Sequence, residues 1–173
     1  MPEEYNPETG ILIMTKTIIL MRHAEAVDRM EAEDDFQRGL TSKGREDSLA
    51  AGKVLAKQGL KPDIALVSPA WRTEETYRCL LPALGDPKLE DPMALYHAST
   101  DMLERAALEA LETYACILMV GHNPGMGGFA HKLALLAGCP EQLPRGYPPA
   151  SATVFSLKTG DLTTPRLVTR FMA

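Results

Sequence analysis

The sequence predicts an α/β fold, a three-layer sandwich with a mostly parallel central sheet flanked by helices. Two observations predict it. Short apolar runs at 17–22, 63–67 and 116–120 read as buried strands. Between them lie stretches in which apolar residues recur at helical spacing, and alternating strand and helix is the signature of a layered, largely parallel sheet.

The elements follow in order. Residues 1–14 carry Glu3, Glu4 and Glu8 with Pro2, Pro7 and Gly10, and read as a disordered extension; Met14 is an alternative start, and residues 15–173 form one domain. Thr17 to Arg22 is the first strand, followed by a long acidic loop to about residue 39. Thr41 or Ser42 caps a helix to about Gln58, with Leu49, Gly52, Leu55 and Ala56 on one face and Gly59 ending it. Asp63 to Val67 is the second strand. Ser68-Pro69 reads as an N-cap with proline at the first helical position, opening a helix that stops at Pro82. Residues 82–98 are rich in Pro and Gly, with a short strand around Leu95-Tyr96. From Ser99 to Tyr114 the residues Leu103, Ala106, Ala107, Ala110 and Leu111 mark a helix. Cys116 to Val120 is the third strand, and Asn123-Pro124 opens a helix that buries Met126, Phe129, Ala130, Leu133, Leu136 and Ala137 up to Gly138. Ala152–Leu157 and Leu167–Phe171 add two antiparallel strands at the sheet edge.

Composition narrows the function. The 173 residues carry a formal net charge of −5, which disfavours nucleic acid and anionic membranes as partners. No apolar run approaches the ~20 residues that span a bilayer. Cys79, Cys116 and Cys139 lack C-x-x-C spacing and read as buried free thiols, pointing to a reducing, cytoplasmic setting. A metal site is not expected, since neither H-E-x-x-H nor C-x-x-C is present; no cofactor is expected either.

Three strand ends carry the chemistry. The first delivers Arg22 and His23, the second Ser68-Pro69 with Arg72 just beyond, and the third His122 with Asn123-Pro124. In a parallel sheet these ends share one edge, where ligands bind. Two helix N-termini would aim unpaired N–H groups at the same space, an arrangement suited to an anion. Arg22 and Arg72 add guanidinium forks that match a phosphoryl group. Two imidazoles beside that anion suggest phosphoryl transfer, with His23 as the nucleophile and His122 donating to a phosphoryl oxygen. Ser68 reads as a helix cap, since no G-x-S-x-G turn surrounds it. His97 follows Leu95-Tyr96 and reads either as a pocket-rim, substrate-binding residue or as structural; His131 reads as solvated. The acidic run 31–35 reads as a solvated loop, with gating of the site as the alternative.

Arg22-His23-Ala24, Ser68-Pro69-x-x-Arg72-Thr73 and Val120-Gly121-His122-Asn123-Pro124 resemble the signature blocks of the histidine phosphatase superfamily, in its order and spacing over about residues 16–157. Leu40-Thr41-x-x-Gly44 matches a further block. Short length, Arg-His-Ala-Glu and Gly-His-Asn-Pro are most similar to its small branch, the SixA-type protein phosphohistidine phosphatases. The resemblance implies a phosphoglycerate mutase-like fold, His23 as the phosphorylated residue, and Arg22, Arg72 and His122 as its phosphate pocket; Asn123 and His97, from their positions in the sequence, are read as further substrate-binding residues. Two positions depart from the family. Ala24 replaces a usual Gly, which is harmless only where φ is negative, and Glu75 stands where Gln is common.

Larger members carry an acid near the leaving group. Here Glu25, Asp28, Glu90 and Asp91 are the carboxylates at hand, and the sequence assigns none of them. General acid catalysis is worth ~10²–10⁴-fold, so its absence favours a phosphoramidate such as phosphohistidine over an alkyl ester. The sequence therefore predicts a metal-independent phosphatase acting on a phosphorylated protein partner, such as a phosphotransfer or phosphohistidine protein. A small phosphorylated metabolite as substrate, and a non-catalytic phosphate-binding module, are the alternatives.

Overall fold

The structure, a computed structural model, describes residues 3–5, 12–158 and 160–173. Glu3–Tyr5 (β1) and Leu12–Met14 (β2) pair antiparallel as a separate ribbon, a pairing the sequence reading did not include; the rest of the expected extension lies outside the described residues. The domain then runs Lys16–Arg22 (β3), Ser42–Lys57 (α1), Ile64–Val67 (β4), Trp71–Leu84 (α2), Lys88–Glu90 (β5), Thr100–Thr113 (α3), Cys116–Gly121 (β6), Gly125–Leu136 (α4), Ala152–Leu157 (β7) and Pro165–Phe171 (β8). Six of these strands form one sheet in the order β5-β4-β6-β3-β7-β8. Strands β5, β4, β6 and β3 are parallel, and β7 and β8 add on antiparallel, as the sequence predicts.

The apolar runs are explained by burial on both faces. Alternate residues of β3, β4 and β6 point to opposite sides. Ile18, Leu20, Ile64, Leu66, Ile117 and Met119 pack with Leu103, Ala107, Leu111, Phe129 and Leu133 of α3 and α4. Ile19, Met21, Ala65, Val67, Leu118 and Val120 pack with Ala51, Leu55, Tyr77 and Leu80 of α1 and α2. At about 1.5–3 kcal/mol for each fully buried large aliphatic side chain, these two cores hold the three layers together. None of the described helices is long and apolar enough to cross a membrane.

Several element boundaries differ from the sequence reading. Thr41 does cap α1, accepting from Gly44 N, but Leu49 is exposed because Gly52 and Leu55 fill the contact with α2. Ser68 is not the cap of α2. Its hydroxyl bonds His122, and the helix begins at Trp71 after Ala70. Pro82 does not stop α2, since the helix continues to bury Leu84 and ends at Gly85. A mid-helix proline costs about 3 kcal/mol, but within a last turn few bonds remain to be lost. The strand expected at Leu95-Tyr96 is instead Lys88–Glu90, and Met93–Leu95 is a single 3₁₀ turn. Leu136 lies exposed beyond the buried face of α4, and His131 is half-buried with Nδ1 on Gly127 O. Cys139 is buried, Cys79 and Cys116 are half-buried, and all three are free. Burial pushes the Cys116 thiol up to about 12.

The first turn of α4 lies directly against the segment that precedes α3. A Cβ placed on Gly125 would stand 2.0 Å from Ala98 O. Gly125→Ala should therefore cost about 1–3 kcal/mol of stability, measured as a lowered urea midpoint; an unchanged midpoint would show that the two segments are not in contact.

Candidate active site

The register of β3 on β6 builds the site. Arg22 pairs with Gly121, so both strands end level. The bonds continue past the ends: His23 N donates to Gly121 O at 3.0 Å and Ser68 N to Val120 O at 3.0 Å. His23, Ser68 and His122 are thus held side by side at one sheet edge, as the parallel reading predicts.

The chemistry of His23 follows from one bond. Its Nδ1 lies 2.8 Å from the carbonyl oxygen of Ala24. A carbonyl only accepts, so Nδ1 carries the proton and Nε2 keeps its lone pair. Burial lowers the pKa of this imidazole to about 4, helped by Arg72, Arg22 and Arg38 and opposed by the Ala24 bond. The ring is therefore neutral at pH 7. Ala24 is buried, its N–H donates to Thr76 Oγ1, and it is not among the non-glycine residues with positive φ, so its methyl group is tolerated.

His122 is 4 % exposed, and its ring stands 5.2 Å from that of His23. Nε2 bonds Ser68 Oγ at 2.7 Å, and Nδ1 is buried with no partner among the described residues. When Ser68 donates to Nε2, Nδ1 carries the hydrogen and is a donor awaiting an acceptor. Burial, with the neighbouring His23 and Arg72, lowers this pKa to about 3. Arg22 donates through Nη1 to Tyr147 O at 3.1 Å, while its Nε is buried without a partner among the described residues. Asn123 has its amide committed elsewhere. It donates to Gly146 O and Tyr147 O and accepts from Gly127 N, so it fixes the turn behind Arg22 and does not present an unused amide to a substrate.

Arg72 is 3 % exposed and meets an acid that the sequence reading left in a solvated loop. Its Nη1 donates to Asp35 O at 2.6 Å and its Nη2 to Asp35 Oδ2 at 3.1 Å. Asp35 also accepts from Arg38 Nη1 and from the Tyr96 hydroxyl, both at 2.9 Å. Burial pushes this carboxyl up, but the bonds from Arg38, Tyr96 and Arg72 outweigh it and hold it well below the ordinary carboxylate range. Glu31, Glu33 and Asp34 are exposed, as expected of a solvated loop; Asp35 alone in that run turns inward. Asp35, Arg38, Tyr96 and Ser68 are the site residues that sequence reasoning missed. The available signal was Asp35-Phe36-x-Arg38, an aromatic between opposite charges inside an otherwise polar loop.

His97 stands at the rim with its ring 4.1 Å from Tyr96 and 5.2 Å from His122, and its Nε2 lies 3.8 Å from Asp35 Oδ2. The other carboxylates considered from the sequence are occupied or exposed. Glu25 accepts from Thr41, Asp28 caps a 3₁₀ turn, Glu90 pairs with Lys88, and Asp91 lies at the surface. Glu75 ties α2 to the loop by accepting from Leu40 N and Arg45. Among the described residues, no group of three or more His, Cys, Asp or Glu is placed to hold a metal ion.

Residues 18–95 match the model of the histidine phosphatase superfamily (branch 1). A 2,3-bisphosphoglycerate-dependent phosphoglycerate mutase of Bartonella henselae is 35% identical over 79 residues, 44% of this chain and 38% of that relative. The match thus spans well under half of the length of the curated relatives. A SixA protein from Nakamurella multipartitia shares the fold at a TM-score of 0.80 and 23% identity, covering 91% of this chain and 96% of that one. The protein histidine phosphatase SixA complexed with tungstate does so at 0.73 and 23%, covering 90% and 96%. The fold is the α/β, phosphoglycerate mutase-like sandwich of those proteins.

The two buried imidazoles make a pH prediction. Their folded pKa values, about 4 for His23 and about 3 for His122, lie below the unfolded value of 6.5. The unfolded chain thus binds more protons below pH 6.5, and stability should fall as pH drops from there toward 4. NMR titration should place the His23 midpoint near 4; a midpoint at the ordinary imidazole value would mean a solvated ring.

Proposed function

We propose that this chain, whose residues 18–95 carry the histidine phosphatase superfamily match, is a metal-independent phosphatase working through a covalent phosphohistidine on His23. The observation that carries this reading is the protonation of His23. The bond to Ala24 leaves Nε2 as a neutral nucleophile beside Arg22, Arg72 and His122. A phosphoryl group held there meets the unpartnered Nε–H of Arg22 and the Nδ1–H of His122. Arg72 contributes the N–H groups that Asp35 does not take. Nε2 attacks phosphorus, the N–P bond forms, and the bond to the leaving group breaks with its electron pair going to that group. Water then attacks phosphorus from the vacated side, the N–P bond breaks back to Nε2, and phosphate leaves. Two guanidinium groups and the neutral Nδ1–H of His122 around the equatorial oxygens offset the charge that a phosphoryl transition state spreads over them.

The substrate we infer is phosphohistidine in a protein partner, in a cytoplasmic setting. Among the described residues Asp35 is the carboxylate in contact with this pocket, and three donors hold it ionised, so it cannot protonate a departing alkoxide. A phosphohistidine ring protonated by solvent leaves as neutral imidazole and needs no such acid. The second reading, a small phosphorylated metabolite, is favoured by the stretch that is 35% identical to a phosphoglycerate mutase.

The protein and a His23→Ala variant, assayed in EDTA on a phosphohistidine protein, phosphoramidate and an alkyl phosphate, test the proposal. The variant should lose about 10³-fold or more in kcat/KM, the wild type should be insensitive to EDTA, and phosphohistidine should be the preferred substrate. Activity that survives His23→Ala, or that chelation abolishes, would overturn the mechanism; preference for the alkyl ester would transfer the reading to a small metabolite.

A further inference from the structure

We propose that His97 is a general acid for this site, donating the proton to an oxygen leaving group, with Asp35 as its positioning residue. The inference rests on the His23 mechanism and goes beyond the phosphohistidine reading, because it adds a residue needed only for oxygen esters.

The placement of His97 carries it. His97 has φ 55°, a left-handed conformation that non-glycine residues adopt at a cost and that clusters at functional sites. That conformation sets the imidazole against Tyr96 at 4.1 Å and beside His122 at 5.2 Å, at the mouth of the phosphate pocket. The side chain is 56% exposed at that mouth, so the water of the second step can reach it. Its Nε2 faces Asp35 Oδ2 at 3.8 Å, within ion-pair range and longer than a hydrogen bond. Arg72, Arg38 and the Tyr96 hydroxyl hold that carboxylate from its other sides. Asp35 is thereby a fixed anion and not a proton source, and the proton is assigned to the imidazole that faces it.

With Nε2–H directed at Asp35, Nδ1–H is the proton for the leaving group. As Nε2 of His23 bonds to phosphorus, the P–O bond breaks, its electron pair goes to the leaving oxygen, and that oxygen takes the Nδ1 proton. His97 is then neutral with its remaining hydrogen on Nε2. In the second step Nδ1 takes a proton from the water that attacks phosphohistidine, which restores the imidazolium and releases phosphate.

His97→Asn tests this, since Asn accepts a positive φ but has no proton to give near neutral pH. Wild type and variant would be compared on glycerol phosphate, whose alkoxide leaves poorly, and p-nitrophenyl phosphate, whose phenolate leaves readily. The alkyl-to-aryl ratio of kcat/KM should fall by about 10²-fold. An unchanged ratio, or an equal loss on both esters, overturns the assignment and leaves the His23 mechanism standing. Turnover of every substrate that persists in His23→Ala fails that mechanism, and the assignment with it.

Discussion

The whole site depends on the register in which β3 lies beside β6. Arg22 opposite Gly121 brings His23 and His122 to the same level, and the bond from His23 N to Gly121 O carries the ladder one step past the strands. A slip of one residue would turn every side chain of β3 to the other face. It would send Ile18 and Leu20 into the core built for Ile19 and Met21, and point His23 away from the anion pocket. Burial on both sides makes that slip prohibitive, so the same apolar packing that stabilises the sheet aligns the reacting groups.

Much of this was legible in the residues. Strands buried on both faces are continuous apolar runs, and a cation or imidazole at the end of one has no place in a core. Arg22, His23 and His122 were therefore visible, and Arg72 was visible as a cation where a helix N-terminus disfavours one. Asp35 was not, because what distinguishes it from Asp34 is a turn of backbone around Phe36, whose carbonyl accepts from Trp71 N. Ser68 followed by proline has the composition of a helix cap, and only the third dimension brings His122 to its hydroxyl. Pro82 likewise reads as a terminator, although Leu84 beyond it has a hydrophobic place to go.

Asp35 resolves an electrostatic difficulty. A guanidinium 3% exposed would be costly without a nearby anion, and on the proposed function a phosphoryl group would occupy the site only during turnover. The loop supplies a permanent counter-ion, and the fork of Arg72 keeps donors for the transient one. Tyr147 does the corresponding work for Arg22. Buried in a turn with positive φ at Gly146, Tyr147 and Ala150, its carbonyl accepts from Arg22 and Asn123 while its hydroxyl donates to Leu20 O. Each arginine is thus oriented by protein atoms before any substrate arrives.

The thiols bear on the conditions under which such a catalyst keeps working. The strand that delivers His122 begins at Cys116, whose thiol burial pushes up to about 12, so it stays protonated at neutral pH. Burial raises Cys79 and Cys139 as well. Peroxides attack thiolates, and the nucleophile we propose is an imidazole, which they leave alone. Oxidation that silences enzymes with a reactive cysteine would therefore find no low-pKa thiol among the described residues, and the side chains left open to it are the exposed Met30, Met93 and Met102.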